Sequence, residues 1–150
     1  MPSTASPASL STLRVSKHFI PSHGRLPNSN ILNKPLLIYH SVFAKPSVTT
    51  HEVLCVSSGK ARLCFGGENN PERVEPTVEA GDVMVLPAGM AHRLLEEFGG
   101  FEMIGCYPKG FDWDMCYGTQ GEEGRVEAIA KVEWFGQDPI YGHQGPVLDV

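Results

Sequence analysis

Two side chains, Glu52 and His92, stand where this 150-residue chain could do chemistry. Glu52 opens the apolar run Glu52-Val-Leu-Cys-Val-Ser57, which has strand character and is closed by Ser58-Gly59. His92 follows two turns: Gly81-Asp82 reverses the chain, and Pro87-Ala88-Gly89 swings His92 onto the next strand. A carboxylate and an imidazole in one pocket have two chemical uses. They suit a divalent Fe, Mn, Ni, Cu or Zn ion whose open positions admit substrate or oxygen. Without a metal, a buried Glu with a raised pKa beside a His is an acid–base pair. A third reading has both groups as relics, satisfied by hydrogen bonds in a pocket that only binds.

The elements that must position these residues are short strands and turns. Pro35-Leu-Leu-Ile-Tyr39 is suited to a first strand, followed by Glu52–Ser57 and by Ala61–Phe65, which alternates and stops at Gly66-Gly67. Residues 68–75 read as a polar loop, and Val74–Val78 as an edge strand interrupted by Pro76. Val83–Leu86, Ala91–Leu95 and Phe101–Tyr107 complete the strands. Six or more short strands with Gly/Pro turns imply a β-sandwich or barrel. The best helix candidate is Glu122–Lys131, and residues 138–146 read as a coil packed on the strands. The expected organisation is a flexible N-terminal tail over 1–24 and one domain over 25–150.

The spacing Gly81-x5-Pro87-x-Gly89-x2-His92 resembles the second motif of the cupin superfamily. Glu52-x6-Gly59 resembles the closing half of the first motif, while the paired His-x-His that precedes that Glu in the family is absent. Its places hold Lys45, Pro46 and Ser47. Residues 26–146 resemble a narrower group of small bacterial and fungal cupins. The resemblance is carried by Thr50-His51-Glu52-Val53-Leu54, Phe65-Gly66-Gly67, Tyr107-Pro108-Lys109-Gly110, Trp113-Asp114 and Asp138-Pro139-Ile140-Tyr141-Gly142.

This resemblance implies an all-β fold, a single cupin jelly-roll barrel with a short C-terminal helix, with Glu52 and His92 facing its interior. It implies one divalent metal ion held by Glu52 and His92, with the third ligand left open. His51 is one candidate, although adjacent strand residues face opposite ways, so a bulge is needed to turn both inward. His40 is another. Some fungal relatives lie in polyketide clusters beside short-chain dehydrogenases and are named as cupin oxidoreductases of salicylaldehyde-type pathways. The implied function is thus an auxiliary oxidoreductase, or a dehydratase- or aromatase-like enzyme, of secondary metabolite biosynthesis. A metal-free isomerase or epimerase and a non-catalytic binding protein are the alternatives. Trp113 and Tyr117 are candidates to line the barrel mouth and stack on an aromatic substrate, with rim packing as the bland alternative. Cys64 is a candidate to touch substrate, against an inert core thiol.

Charge and cysteine usage narrow the class further. Residues 1–51 hold five Lys or Arg and no acid, whereas residues 52–150 hold seven basic and seventeen acidic residues, a net of about −10. An acidic domain is a poor match for nucleic acid. The basic, Ser-rich start resembles a transit peptide in composition, but Pro2, Pro7 and Pro21 interrupt any amphipathic helix. No apolar run has the length of a membrane span. Cys55, Cys64, Cys106 and Cys116 show no Cys-x-x-Cys spacing, so reduced thiols in a cytoplasmic protein are expected. A small-molecule substrate and a homodimer are the expected partners.

Overall fold

The computed structural model describes residues 7–29, 33–40, 52–107 and 119–150. The protein is mostly β: an antiparallel sheet curled into a half-barrel, with one short C-terminal helix. Its strands are β1 (Arg14–His18), β2 (Leu36–His40), β3 (Val53–Phe65), β4 (Thr77–Glu79), β5 (Val83–Val85) and β6 (His92–Cys106). Helix α1 spans Glu123–Ala130, and a 3-10 turn spans Pro146–Asp149. The path through the sheet is β1-β2-β5-β3-β4, with β6 pairing β3. On one side of β3, β5 pairs with its first residues and β4 with its second half. On the other side β6 follows β3 from Val53↔Cys106 to Phe65↔His92.

Alternation divides the apolar residues between two faces. Leu36, Ile38, Leu54, Val56, Ala61, Leu63, Phe65, Val78 and Met84 form the inner cluster, joined by Ile20, Leu86 and Met90. Leu37, Tyr39, Val53, Cys55, Val83, Val85 and Cys106 form the outer cluster, which Trp134, Phe135, Ile140, Tyr141 and Val147 of the C-terminal segment cover. Sheet strands buried on both faces read as continuous apolar runs, and β2 and β5 do so: Leu36–Tyr39 and Val83–Val85 are fully buried.

Three features depart from the sequence expectations. Residues 14–18, inside the expected flexible lead-in, form β1 and pair with β2 from Arg14↔His40 to His18↔Leu36. Leu13 and Val15 pack on the outer cluster while Ile20 is buried in the inner one, so burial holds this segment to the sheet. Second, the two strands expected on either side of Ser58-Gly59 are one strand. Gly59 (φ +68°) sits at a register shift, where a β-carbon would fall 2.6 Å from the backbone nitrogen of Phe101. Glycine permits the bulge and the close approach together, so the strand bends instead of ending. Third, Ala91–Leu95 and Phe101–Tyr107 are likewise joined in β6, through Gly99 and Gly100 in left-handed conformations. The helix and the packed C-terminal coil lie where the sequence places them.

Candidate active site

Glu52 immediately precedes β3, and its carbonyl accepts a hydrogen bond from the Leu86 amide at 3.1 Å. This bond continues the β3–β5 ladder by one residue, and alternation with Leu54 turns the Glu52 side chain to the inner face. His92 is the first residue of β6 and pairs with Phe65, whose ring stacks on the imidazole with centroids 6.0 Å apart and planes at 28°. Only the turn of residues 87–91 separates Leu86 from His92. The chain therefore leaves the neighbour of Glu52 and returns to it with a histidine. His92 Nε2 lies 4.0 Å from Glu52 Oε1, and the side chains are 27% and 26% exposed, reachable yet largely desolvated.

The other imidazole nitrogen fixes the chemistry of the pair. His92 Nδ1 lies 3.2 Å from the Met90 carbonyl. A carbonyl only accepts, so the neutral ring carries its hydrogen on Nδ1 and presents a basic Nε2 to Glu52. Burial pushes the Glu52 carboxyl above its ordinary value, and nearby His92 draws it part of the way back. At 4.0 Å neither group saturates the other, which leaves both able to bond a third partner.

The raised Glu52 pKa has a consequence for stability. The folded protein holds this proton more firmly than the unfolded chain. The associated stability is complete below the unfolded carboxyl value and is lost as pH rises through the folded one. Glu52→Gln is uncharged throughout and escapes this loss. Its melting temperature relative to wild type should therefore increase as pH rises from the ordinary glutamate range toward and past neutrality. A difference in Tm that is constant with pH would show that Glu52 titrates normally.

The turn that delivers His92 is held by a residue that sequence reasoning missed. Asn28 is fully buried at φ +54°. Its amide donates to the carbonyls of Pro21 and Gly66 at 3.0 Å each, its side-chain oxygen accepts from the Ala91 amide at 3.2 Å, and its backbone amide reaches the Gly89 carbonyl. Asn70 adds a second bond to Gly66, and the Gly66 amide donates to the Ala91 carbonyl at 2.7 Å. Gly89 (φ +79°) is needed because a β-carbon there would lie 2.7 Å from Pro27 and 2.8 Å from Ile129 of α1. The available signal for Asn28 is a tolerance of positive φ, which Asn shares with Gly. Asn28→Ala should cost about 2–4 kcal/mol, because three hydrogen bonds go at once, the Ala91 amide loses its acceptor, and alanine is strained at φ +54°, although Asn70 still donates to the Pro21 and Gly66 carbonyls. Chemical denaturation would check this, and a loss below about 1 kcal/mol would mean that the clamp is replaceable.

The remaining candidates do not join the pair among the described residues. Cys64 alternates with Phe65 and lies among Arg73, Glu75, Arg93 and Glu68, with burial pushing its thiol up. His51, Trp113 and Tyr117 lie outside the described residues, as does Cys116. Cys55, Cys64 and Cys106 are buried and free. Glu52 and His92 are suitable donors for a divalent ion, but among the described residues no group of three His, Cys, Asp or Glu is assembled around a common point. These residues alone do not complete a metal site.

No protein-family model matches the chain, and no solved structure matches it. A relative is found in Bacillus subtilis (strain 168), the uncharacterized protein YjlB. It is 30% identical over an alignment of 160 positions that covers 89% of this chain and 94% of YjlB. Identity at that level over nearly the whole of both proteins places this chain in the YjlB family.

Proposed function

We propose that this protein is a small cupin enzyme that moves protons on a small, cyclic or aromatic metabolite, with Glu52 and His92 as the working pair. The observation that carries the reading is the convergence of a desolvated carboxyl and an oriented imidazole at 4.0 Å on the inner face. His92 Nε2 is the base and Glu52 the acid. In dehydration of a β-hydroxy ketone, Nε2 takes the α-proton, the carbon–carbon double bond forms, and Glu52 protonates the hydroxyl that leaves as water. Aromatisation of a reduced polyketide ring uses the same transfers, and so does an isomerase or epimerase. An auxiliary oxidoreductase of fungal secondary metabolism draws its support from the cupin resemblance, while the geometry speaks for the proton-transfer half of such chemistry. The substrate would be met in the cytoplasm.

The test needs no prior substrate. A panel of cyclic hydroxy-ketones incubated in D2O should show enzyme-dependent α-deuteration, absent in Glu52→Gln and His92→Ala. Exchange at the same rate in both variants would remove the pair from the mechanism. Metal analysis of untagged protein belongs beside it. One equivalent of Fe, Mn, Ni, Cu or Zn, lost in both variants, would replace this reading with metal-assisted chemistry and a donor from outside the described residues.

A further inference from the structure

A second constellation lies on the same sheet, away from Glu52 and His92. Ser16 Oγ of β1 lies 2.9 Å from His40 Nε2 of β2, and His40 Nδ1 lies 3.8 Å from Asp82 Oδ2. Asp82 is 3% exposed, and the same oxygen accepts from the Glu79 amide at 3.0 Å, which fixes the carboxylate in the β4–β5 turn. The Tyr39↔Val83 pairing sets His40 beside Asp82, whereas Glu52 lies beside Leu86. Four residues of strand separate the two positions, roughly 13 Å at 3.3 Å per residue.

From this order of hydroxyl, imidazole and buried carboxylate, we propose that Ser16, His40 and Asp82 form a nucleophilic site that hydrolyses esters of small carboxylic acids. With Asp82 favouring a hydrogen on Nδ1, His40 Nε2 is left to accept the Ser16 proton. Ser16 Oγ then bonds to the ester carbonyl carbon. The carbon–oxygen bond to the alcohol breaks, and the alcohol leaves with the proton from Nε2. Water, deprotonated by the same nitrogen, releases the acid and restores the Ser16 hydroxyl. Arg14 is the β-ladder partner of His40 and shares the Ser16 face by alternation, a suitable origin for positive charge near the developing oxyanion. The 3.8 Å separation exceeds a hydrogen bond, as is common for catalytic contacts before substrate closes over them.

The probe is a fluorophosphonate, with p-nitrophenyl acetate as reporter substrate. Peptide mass spectrometry should find the phosphonyl group on Ser16, and Ser16→Ala should abolish both labelling and enzyme-dependent hydrolysis. His40→Gln should slow labelling by about 10²-fold or more. Asp82→Asn, which keeps an acceptor for the Glu79 amide, should slow it measurably with Tm unchanged, while Ser9→Ala should have no effect. Labelling no faster than in urea-unfolded protein, or spread over several serines, would overturn the proposal. The trio would then be a clasp that ties β1 to β2.

Discussion

Glu52→Gln and His92→Ala are each expected to reduce turnover by about 10²–10⁴-fold, the range typical of a lost general acid or base. Both variants should keep the native fold. Glu52 contributes its backbone carbonyl to the ladder through Leu86, and that bond does not depend on the side chain. His92 contributes ring stacking on Phe65 and one hydrogen bond to Met90, so its loss is felt locally. The two variants should differ in stability. Glu52→Gln removes a group whose ionisation burial opposes, and it should be at least as stable as wild type at neutral pH. Loss of activity without loss of stability distinguishes a working pair from satisfied core residues. If both variants unfold, or both turn over normally, the assignment of roles is wrong. The double variant should be no slower than the worse single one, since acid and base act in one step.

Asp138→Ala is expected to cost about 3–5 kcal/mol, a large share of the 5–15 kcal/mol that stabilises an ordinary domain. Asp138 is 2% exposed and is the knot of the C-terminal segment. One carboxylate oxygen accepts from Tyr39 Oη at 2.5 Å and from the Val147 amide at 3.1 Å. The other accepts from the amides of Ile140 and Tyr141 at 2.9 and 3.0 Å. Tyr39 is fully buried in β2, so this one side chain fastens the outer cover to the middle of the sheet. Truncation leaves the Tyr39 hydroxyl hydrogen without its acceptor and the Val147 amide with only the Tyr39 oxygen to bond, and a buried group left without a partner costs about 1–3 kcal/mol. At roughly 2–4 °C per kcal/mol for a chain of this size, Tm should fall by about 6–20 °C. Tyr39→Phe should cost less. Once Asp138 is gone, Tyr39→Phe should cost less than it does in wild type, because the two share an interaction. Equal and additive losses would place the strength of this cover in its apolar contacts instead.

What the sequence made legible follows from how local each signal is. Glu52, the Pro87–Gly89 turn and His92 lie within reach of turn chemistry and alternation, and the structure brings the two side chains together on one face. Helix α1 and the packed coil after it were legible for the same reason. β1 was not, because Arg14-Val-Ser-Lys-His18 holds a single large apolar residue and owes its place to pairing with distant β2. The Gly59 and Gly99-Gly100 positions read as strand ends, since glycine marks a turn and a bulge alike. The Asn28 clamp joins residues up to 63 positions apart, and no local pattern encodes that contact. The same holds for Ser16 with His40, which are 24 positions apart.

Whether Glu52 and His92 share a proton is read by a carbon-13 NMR titration of the Glu52 carboxyl, in wild type and in His92→Ala. A proton-transfer pair predicts that Glu52 titrates above the ordinary glutamate value, and that removing the His92 attraction raises it further. An ordinary Glu52 pKa, unmoved by the loss of His92, would mean that the two residues are neighbours without a shared proton.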